Sequence, residues 1–216
     1  MLAQVIGEDG HITIPHFYDD VEKVPAAERE MIAQIPFDEK KYMEAIGVKA
    51  LKGEKGYSTL ERNSCRPSFD ICGIWGGYTG EGSKTVLPSK AYAKVSCRLV
   101  PHQNHAVISQ LFVDYIQSIA PEYVQVKVTP MHGAKDMYAP SPCPPIRLPK
   151  KALLKHSGKK PLAVRRGGSI PIISDFEQIL GIKDRSHGIR GWKVMPSIRL
   201  MKTSLWIYSV KELKLW

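Results

Sequence analysis

No apolar run in the 216-residue chain approaches the roughly 18 consecutive residues of a membrane-spanning helix, so an integral membrane protein is not expected. The first ten residues lack Lys and Arg, carry Glu8 and Asp9, and contain no basic stretch leading into an apolar one. A secretory leader is therefore not readable, and a cytoplasmic location is the expectation. Cysteine is scarce: Cys65, Cys72, Cys97 and Cys143 stand at irregular spacings without a Cys-x-x-Cys pair. That spacing argues against structural zinc or redox chemistry and for free thiols. Acidic residues are also in short supply, 21 against 31 Lys and Arg, for a net charge of +10.

A positive balance invites a nucleic-acid reading, but its distribution weakens that idea. Residues 183–216 hold eight basic side chains against Asp184 and Glu212, so six of the ten net charges fall in this tail, as do Trp192, Trp206 and Trp216. The remainder has ordinary composition, 43% apolar and 24% charged over the whole chain, enough to bury a core in one large domain or two small ones.

Residues His11 to Ile14 read as a short extended piece, and Pro25 followed by Ala-Ala-Glu-Arg-Glu suits a proline at the first position of a helix. Residues 51–68, rich in Lys, Gly and Ser, read as a loop. From Phe69 to Tyr78 the chain turns apolar and aromatic, a glycine-rich turn follows from Gly76 to Ser83, and Lys90 to Val100 alternates as a half-buried strand does. The simplest interpretation is a hairpin. Asn104 is placed to cap a helix over 105–119, in which Val107, Ile108, Leu111, Phe112, Tyr115, Ile116 and Ile119 recur at helical spacing. Tyr123 to Val128 alternates again. Strand, strand, helix, strand predicts an α+β layer with helices on one face of an antiparallel sheet. Five prolines between 139 and 149 mark a boundary, followed by a short basic helix at Lys150 to His156, a strand at Leu162 to Arg165, a glycine turn and a helix at Ile172 to Leu180.

Taken on their residues alone, few motifs point to chemistry. Arg165-Arg-Gly-Gly-Ser-Ile-Pro171 lies between a predicted strand and helix, where Gly167 and Gly168 let backbone amides approach an anion and Ser169 can donate its hydroxyl. Taken alone, a glycine turn of this kind is more often purely structural. Gly76-Gly-Tyr-Thr-Gly-Glu-Gly-Ser83 lacks the spacing of a phosphate loop. His102 and His105 have no third ligand in sequence and read as a surface pair. His132, just before Gly133, could reach a small ligand.

The run Arg66-Pro-Ser-Phe-Asp-Ile-Cys-Gly-Ile-Trp-Gly-Gly-Tyr-Thr-Gly-Glu-Gly-Ser-Lys-Thr-Val-Leu-Pro-Ser-Lys-Ala91, continuing to Ser96-Cys-Arg-Leu-Val-Pro101, resembles the lid domain of carnosinase-like zinc dipeptidases. The wider family includes acetylornithine deacetylase and succinyl-diaminopimelate desuccinylase, and it has an Arg-x-Gly-Gly-Ser-Ile-Pro turn like Arg165 to Pro171. With His11-Ile-Thr-Ile-Pro15 and Phe17-Tyr-Asp-Asp-Val21 the similarity covers roughly residues 1–182. The resemblance implies a two-metal catalytic domain interrupted by a ferredoxin-like α+β lid that also builds a homodimer. By matching positions it implies substrate-gripping roles for Thr85, Arg98 and His132, and a turn at Gly168 and Ser169 that receives the substrate's carboxylate. Arg166 departs from the family's frequent Glu, and Cys72 from the Asn of bacterial relatives.

The resemblance also implies two zinc or other divalent ions in an intact enzyme, held by a His-x-Asp ligand, a bridging Asp and a Glu-Glu pair. It implies, too, a lid histidine in an Asp-Leu-His-Ser-Gly-like motif. None of these occurs in the 216 residues. No complete catalytic set and no metal bound by this chain are therefore expected. The family's downstream His-Ser-Pro-Asn-Glu is missing as well. Yet codons for Gly191 to Trp216 can be chosen so that the frame starting at the third base of Gly191 spells Leu-Glu-Gly-Asp-Ala-Ile-His-Ser-Pro-Asn-Glu, which suggests that the tail is out-of-frame translation. The expected organisation is a catalytic-domain remnant at 1–65, the lid at 66–135, a partial return to the catalytic domain at 136–182, and the tail at 183–216. The expected partners are a small peptide substrate and a second copy, with neither nucleic acid nor membrane. A non-catalytic dimerisation or substrate-binding module is the alternative.

Overall fold

The computed structural model describes residues 1–131, 133 and 179, together with the backbone of 208–215. A single 3-10 turn (Leu2–Gln4) precedes three short helices, α1 (Ala26–Ala33), α2 (Glu39–Ile46) and α3 (Thr59–Cys65). Strands β1 (Ser68–Gly76) and β2 (Lys90–Arg98), helix α4 (His105–Ser118), strand β3 (Val124–Thr129) and strand β4 (Tyr208–Leu215) complete the order. The fold is α+β, one antiparallel sheet with α4 against it. The strands lie in the order β1-β2-β4-β3, which puts β1 at one edge of the sheet.

The expected hairpin, helix and third strand are present within a residue or two of their sequence bounds. Asn104 caps α4 by accepting a hydrogen bond from the Ala106 amide at 2.9 Å. Every fourth residue of α4 on one stripe, Ile108, Phe112 and Ile116, is buried, with Leu111, Tyr115 and Ile119 flanking the same core. Pro25 sits one position earlier than expected, as the N-cap of α1.

One expectation is corrected. The stretch 51–68 is not all loop, because Ser58 and Glu61 form a reciprocal capping box that starts α3. The Ser-Thr-Leu-Glu spacing was readable as such a box. The short extended piece at His11 to Ile14 forms one isolated antiparallel bridge, Ile12 with Ile6.

The core gathers Val5, Ile12, Ile14 and Phe17 with Phe69, Val95, Cys97, Ile108, Phe112 and Ile116. It therefore packs residues from both sides of the 65/66 boundary. Gln103 joins the two sides: it is 2% exposed, its amide donates to the Phe17 carbonyl at 2.8 Å, and its oxygen accepts from the Val100 amide at 3.0 Å. A buried amide satisfied at both ends fixes the turn after β2, and with it the end of the strand that carries Arg98. Arg66 anchors the start of β1. Its guanidinium holds Glu54 in a two-pronged pair at 2.7 and 2.6 Å and lies between the rings of Tyr18 and Tyr57, 4.9 and 4.5 Å from their centroids.

Among the described residues Cys65, Cys72 and Cys97 are free thiols, and Cys143 lies outside them. No helix among the described residues is long and apolar enough to cross a membrane.

Candidate functional site

Alternation along β2 decides which side chains meet a ligand. Ala93, Val95 and Cys97 are buried on the side of α4, so Tyr92, Lys94, Ser96 and Arg98 occupy the opposite face. Their register partners on β1 are Trp75, Gly73, Asp70 and Ser68. This face, open at Lys94 and Trp75 and closed over the buried Ser96, carries the chemistry of the hairpin. Trp75 stacks on Tyr92 with ring centroids 5.3 Å apart, and the Lys94 ammonium lies 5.8 Å from the Trp75 ring. Asp70 accepts a hydrogen bond from the Ser68 hydroxyl at 2.9 Å.

The ladder shifts by one residue at Cys72, which bulges between Ile71 and Gly73. The bulge brings the Cys72 sulfur within 3.0 Å of the Ser96 hydroxyl. Burial pushes the neighbouring Cys97 thiol far up, with the charges of Asp70 and Cys72 adding to the effect, so Cys97 is inert packing and not a nucleophile.

Of the five site residues expected from the sequence, Thr85 and Arg98 lie within the described structure, and His132, Gly168 and Ser169 lie outside it. Arg98 ends β2, registered with Ser68 at the base of the hairpin. Thr85 lies in the connection 77–89 at the other end, where every residue from 74 to 90 is exposed. That connection folds on itself, since the Tyr78 hydroxyl donates to the Glu81 carbonyl at 2.9 Å and Lys84 leans over the Tyr78 ring at 5.6 Å. The strand between the two ends runs from Lys90 to Arg98, about 26 Å at 3.3 Å per residue. Arg98 and Lys90, where the connection that carries Thr85 enters β2, are thus held apart by much more than the length of a dipeptide. The aromatic and cationic members of the open face, Trp75, Tyr92 and Lys94, were absent from the sequence reading, although period-two alternation from Ser96 and Arg98 points to them.

The described residues do not fit a metal centre, because no three His, Cys, Asp or Glu side chains among them converge. His102 pairs with Glu22 at 3.3 Å at the surface.

Edge strand β1 leaves apolar side chains uncovered: Ile71 is 47% and Ile74 73% exposed, on the α4 side of the sheet by their pairing with Val95 and Ala93. Val107 on α4 is 49% exposed. An open strand edge beside uncovered apolar groups is the kind of surface on which strands of separate chains pair in general.

Comparison with known proteins defines the class. A family model described as the peptidase dimerisation domain of M20 enzymes matches residues 5–124, more than half of the chain, and the chain belongs to that family. Curated relatives include the Beta-Ala-His dipeptidase of Rattus norvegicus, 25% identical over 182 residues, covering 83% of this chain and 37% of the relative. The Cys-Gly metallodipeptidase dug1 of Schizosaccharomyces pombe is 26% identical over 183 residues, covering 83% and 38%. Among solved structures, an M20 family metallo-carboxypeptidase, Sso-CP2 from Sulfolobus solfataricus, superposes with a TM-score of 0.68 at 26% identity, over 85% of this chain and 41% of that one. Human carnosine dipeptidase 1 gives 0.65 at 24% identity over 83% and 39%, a likeness of fold. The chain thus spans about two fifths of the length of these proteins.

Proposed function

We propose that this polypeptide is the dimerising, substrate-gripping lid of a metal-dependent dipeptidase, and that it hydrolyses nothing by itself. The family's metal ligands are absent from its sequence, so water activation has no site in it, and turnover in an intact enzyme would require two zinc or other divalent ions held elsewhere. What this chain supplies is binding. The guanidinium of Arg98, at the end of a strand fixed by the Gln103 turn, is suited to a carboxylate or to the oxyanion of a tetrahedral intermediate, and Thr85 offers a hydroxyl to the same ligand. His132, Gly168 and Ser169 complete the grip on this proposal. The substrate is a dipeptide or N-acyl amino acid in the cytoplasm.

One observation carries the geometry. Strand β2 sets Arg98 about 26 Å from Lys90, and Thr85 lies in the connection that precedes Lys90, so on this proposal a small substrate meets both where the two residues come from different copies. The uncovered edge of β1 and the exposed Ile71 and Ile74 support pairing of two copies through this hairpin. A two-fold partner then inverts the strand and brings its Thr85 towards the first copy's Arg98.

Binding of β-Ala-His and Cys-Gly dipeptides to the full chain, followed by calorimetry, tests this. Arg98→Ala and Thr85→Val are each expected to weaken binding at least about tenfold, the loss that accompanies removal of a good hydrogen bond. An equal mixture of the two variants recovers about one quarter of the wild-type sites, because half the dimers are mixed and half of their sites keep both residues. No recovery on mixing refutes the shared grip. Hydrolysis of either dipeptide by the purified chain with zinc added refutes the claim of inactivity.

A non-catalytic dimerisation module is the second possibility. It is favoured if the chain pairs and neither dipeptide binds.

A further inference from the structure

Beside Arg98, the same face of the hairpin carries a charge of opposite sign. Ser68 stands opposite Arg98 in the ladder and Asp70 opposite Ser96, so Asp70 is the diagonal neighbour of Arg98 on the face away from α4. Diagonal neighbours across an antiparallel pair lie about 7 Å apart. Two residues of extended peptide span about the same length, roughly 7 Å from end to end. We infer that Asp70 receives the terminal ammonium of the substrate whose carboxylate Arg98 holds, a role that rests on the proposed Arg98 grip and narrows its substrate class from amides in general to zwitterionic dipeptides.

Packing gives this carboxylate no reason to be where it is. Asp70 is exposed in the interior of β1, and aspartate is a poor strand former. Its Oδ2 accepts a hydrogen bond from the Ser68 hydroxyl at 2.9 Å, which draws the carboxylate towards the row that holds Arg98. A carboxylate has about four acceptor positions, so one hydroxyl leaves capacity for the donors of an ammonium. Lys94, two residues along β2 from the partner of Asp70, leans over the Trp75 ring at 5.8 Å. On that side the bulge also fills the face: the Cys72 sulfur lies 3.0 Å from the hydroxyl of Ser96, which is 4% exposed. Asp70 therefore addresses the Arg98 end of the hairpin and not the Trp75 end.

A cation and an anion held at dipeptide spacing on two paired strands complement a ligand with the reverse charges at its ends. An N-acyl amino acid presents a carboxylate to Arg98 but no charge to Asp70, and a polar group left without its partner under a bound ligand is the usual source of discrimination against an analogue.

Calorimetry on the full chain with β-Ala-His and with propionyl-histidine, the same molecule without its amine, tests this. The unaltered chain is expected to bind β-Ala-His at least about tenfold more tightly, the effect of one hydrogen bond to a charged group. Asp70→Asn keeps the size of the side chain and an acceptor for Ser68. It is expected to weaken β-Ala-His to the affinity of propionyl-histidine and to leave propionyl-histidine itself unchanged. Asp70→Glu keeps the charge and is expected to keep the preference, whereas Arg98→Ala weakens both ligands alike. Equal affinity of the two ligands for the unaltered chain overturns the role of Asp70 and leaves the Arg98 grip standing, and that comparison decides even if a variant fails to fold. Loss of both ligands by one factor in Asp70→Asn also overturns it, because a carboxylate that only orients Arg98 or guards the strand edge has no preference for the amine. Binding of neither ligand to the unaltered chain overturns the grip and the role of Asp70 together.

Discussion

Removing Glu54 isolates a nearly buried cation. Arg66 and Glu54 are 8% and 12% exposed at the side chain, and the pair is closed by two hydrogen bonds at 2.7 and 2.6 Å. For Arg66, burial acts to lower the pKa, and the hydrogen bond and charge of Glu54 outweigh it, so the guanidinium is held above its ordinary value. Two unit charges about 4 Å apart attract by about 4 kcal/mol at an effective dielectric of about 20. Breaking one side of a buried pair costs about 3–5 kcal/mol in comparable sites.

The faces of Tyr18 and Tyr57 remain after Glu54 is gone and return about 1 kcal/mol by cation–π attraction. Glu54→Ala is therefore expected to cost about 3 kcal/mol. Arg66→Met, which leaves the carboxylate beside His11 at 3.3 Å, costs about 2 kcal/mol. The double variant loses less than the sum by about 2 kcal/mol, because no charge is left unpaired. Urea denaturation followed by circular dichroism on the four proteins measures all of these. Losses that add to within about 0.5 kcal/mol refute the coupling, and with it the idea that this pair ties the segment before α3 to the start of β1.

Glu61 provides a pH test. Burial acts to raise its pKa, but hydrogen bonds from Arg29 and Ser58 outweigh that, and the carboxyl titrates below its ordinary value of 4.5. A depressed folded-state value means stabilisation that is present above pH 4.5 and is lost as the pH falls through the lower, folded-state value. Glu61→Gln is expected to be less stable than the parent at pH 7 and to approach it at acid pH, as read from melting temperatures. A constant difference refutes the assignment. Gly10 has φ +80°, and a Cβ there would lie 2.5 Å from the Gly53 carbonyl group, so Gly10→Ala is expected to cost about 2 kcal/mol or more by denaturation. Gln103→Leu leaves the Phe17 carbonyl and the Val100 amide without partners and costs about 2 kcal/mol in the same assay. We propose further that the coding strand spells His-Ser-Pro-Asn-Glu in the frame that begins at the third base of Gly191. Sequencing the gene decides this, and a strand unable to encode the motif in any frame removes the idea.

Periodicity made the hairpin, α4 and β3 legible, because each buries one face and so keeps a strict spacing of apolar residues. Helix α3 was missed for the opposite reason: its buried residues are Thr59, Glu61, Ser64 and Cys65, held by a capping box and an ion pair and not by an apolar stripe. Strand β4 was hidden because its alternation is broken at Lys211 and Glu212, and only the ladder shift on both neighbours explains the break. Thr85 and Arg98 could be named from motif positions, but a motif gives no distance. Their placement at opposite ends of the hairpin comes from the register of β1 on β2, and the open-face residues Trp75, Tyr92 and Lys94 follow from the same register.

In the proposed function, pairing of two copies through the β1 edge joins the fold to substrate gripping. Sedimentation equilibrium of the 24.2 kDa chain, alone and as Ile74→Lys, tests it directly. A charge placed on the 73% exposed Ile74 beside an open strand edge blocks edge-to-edge pairing at little cost to the monomer. The unaltered chain is expected to sediment at twice the chain mass and the variant at 24.2 kDa with unchanged circular dichroism. A single 24.2 kDa species for the unaltered chain, or a dimer that Ile74→Lys leaves intact, contradicts the account.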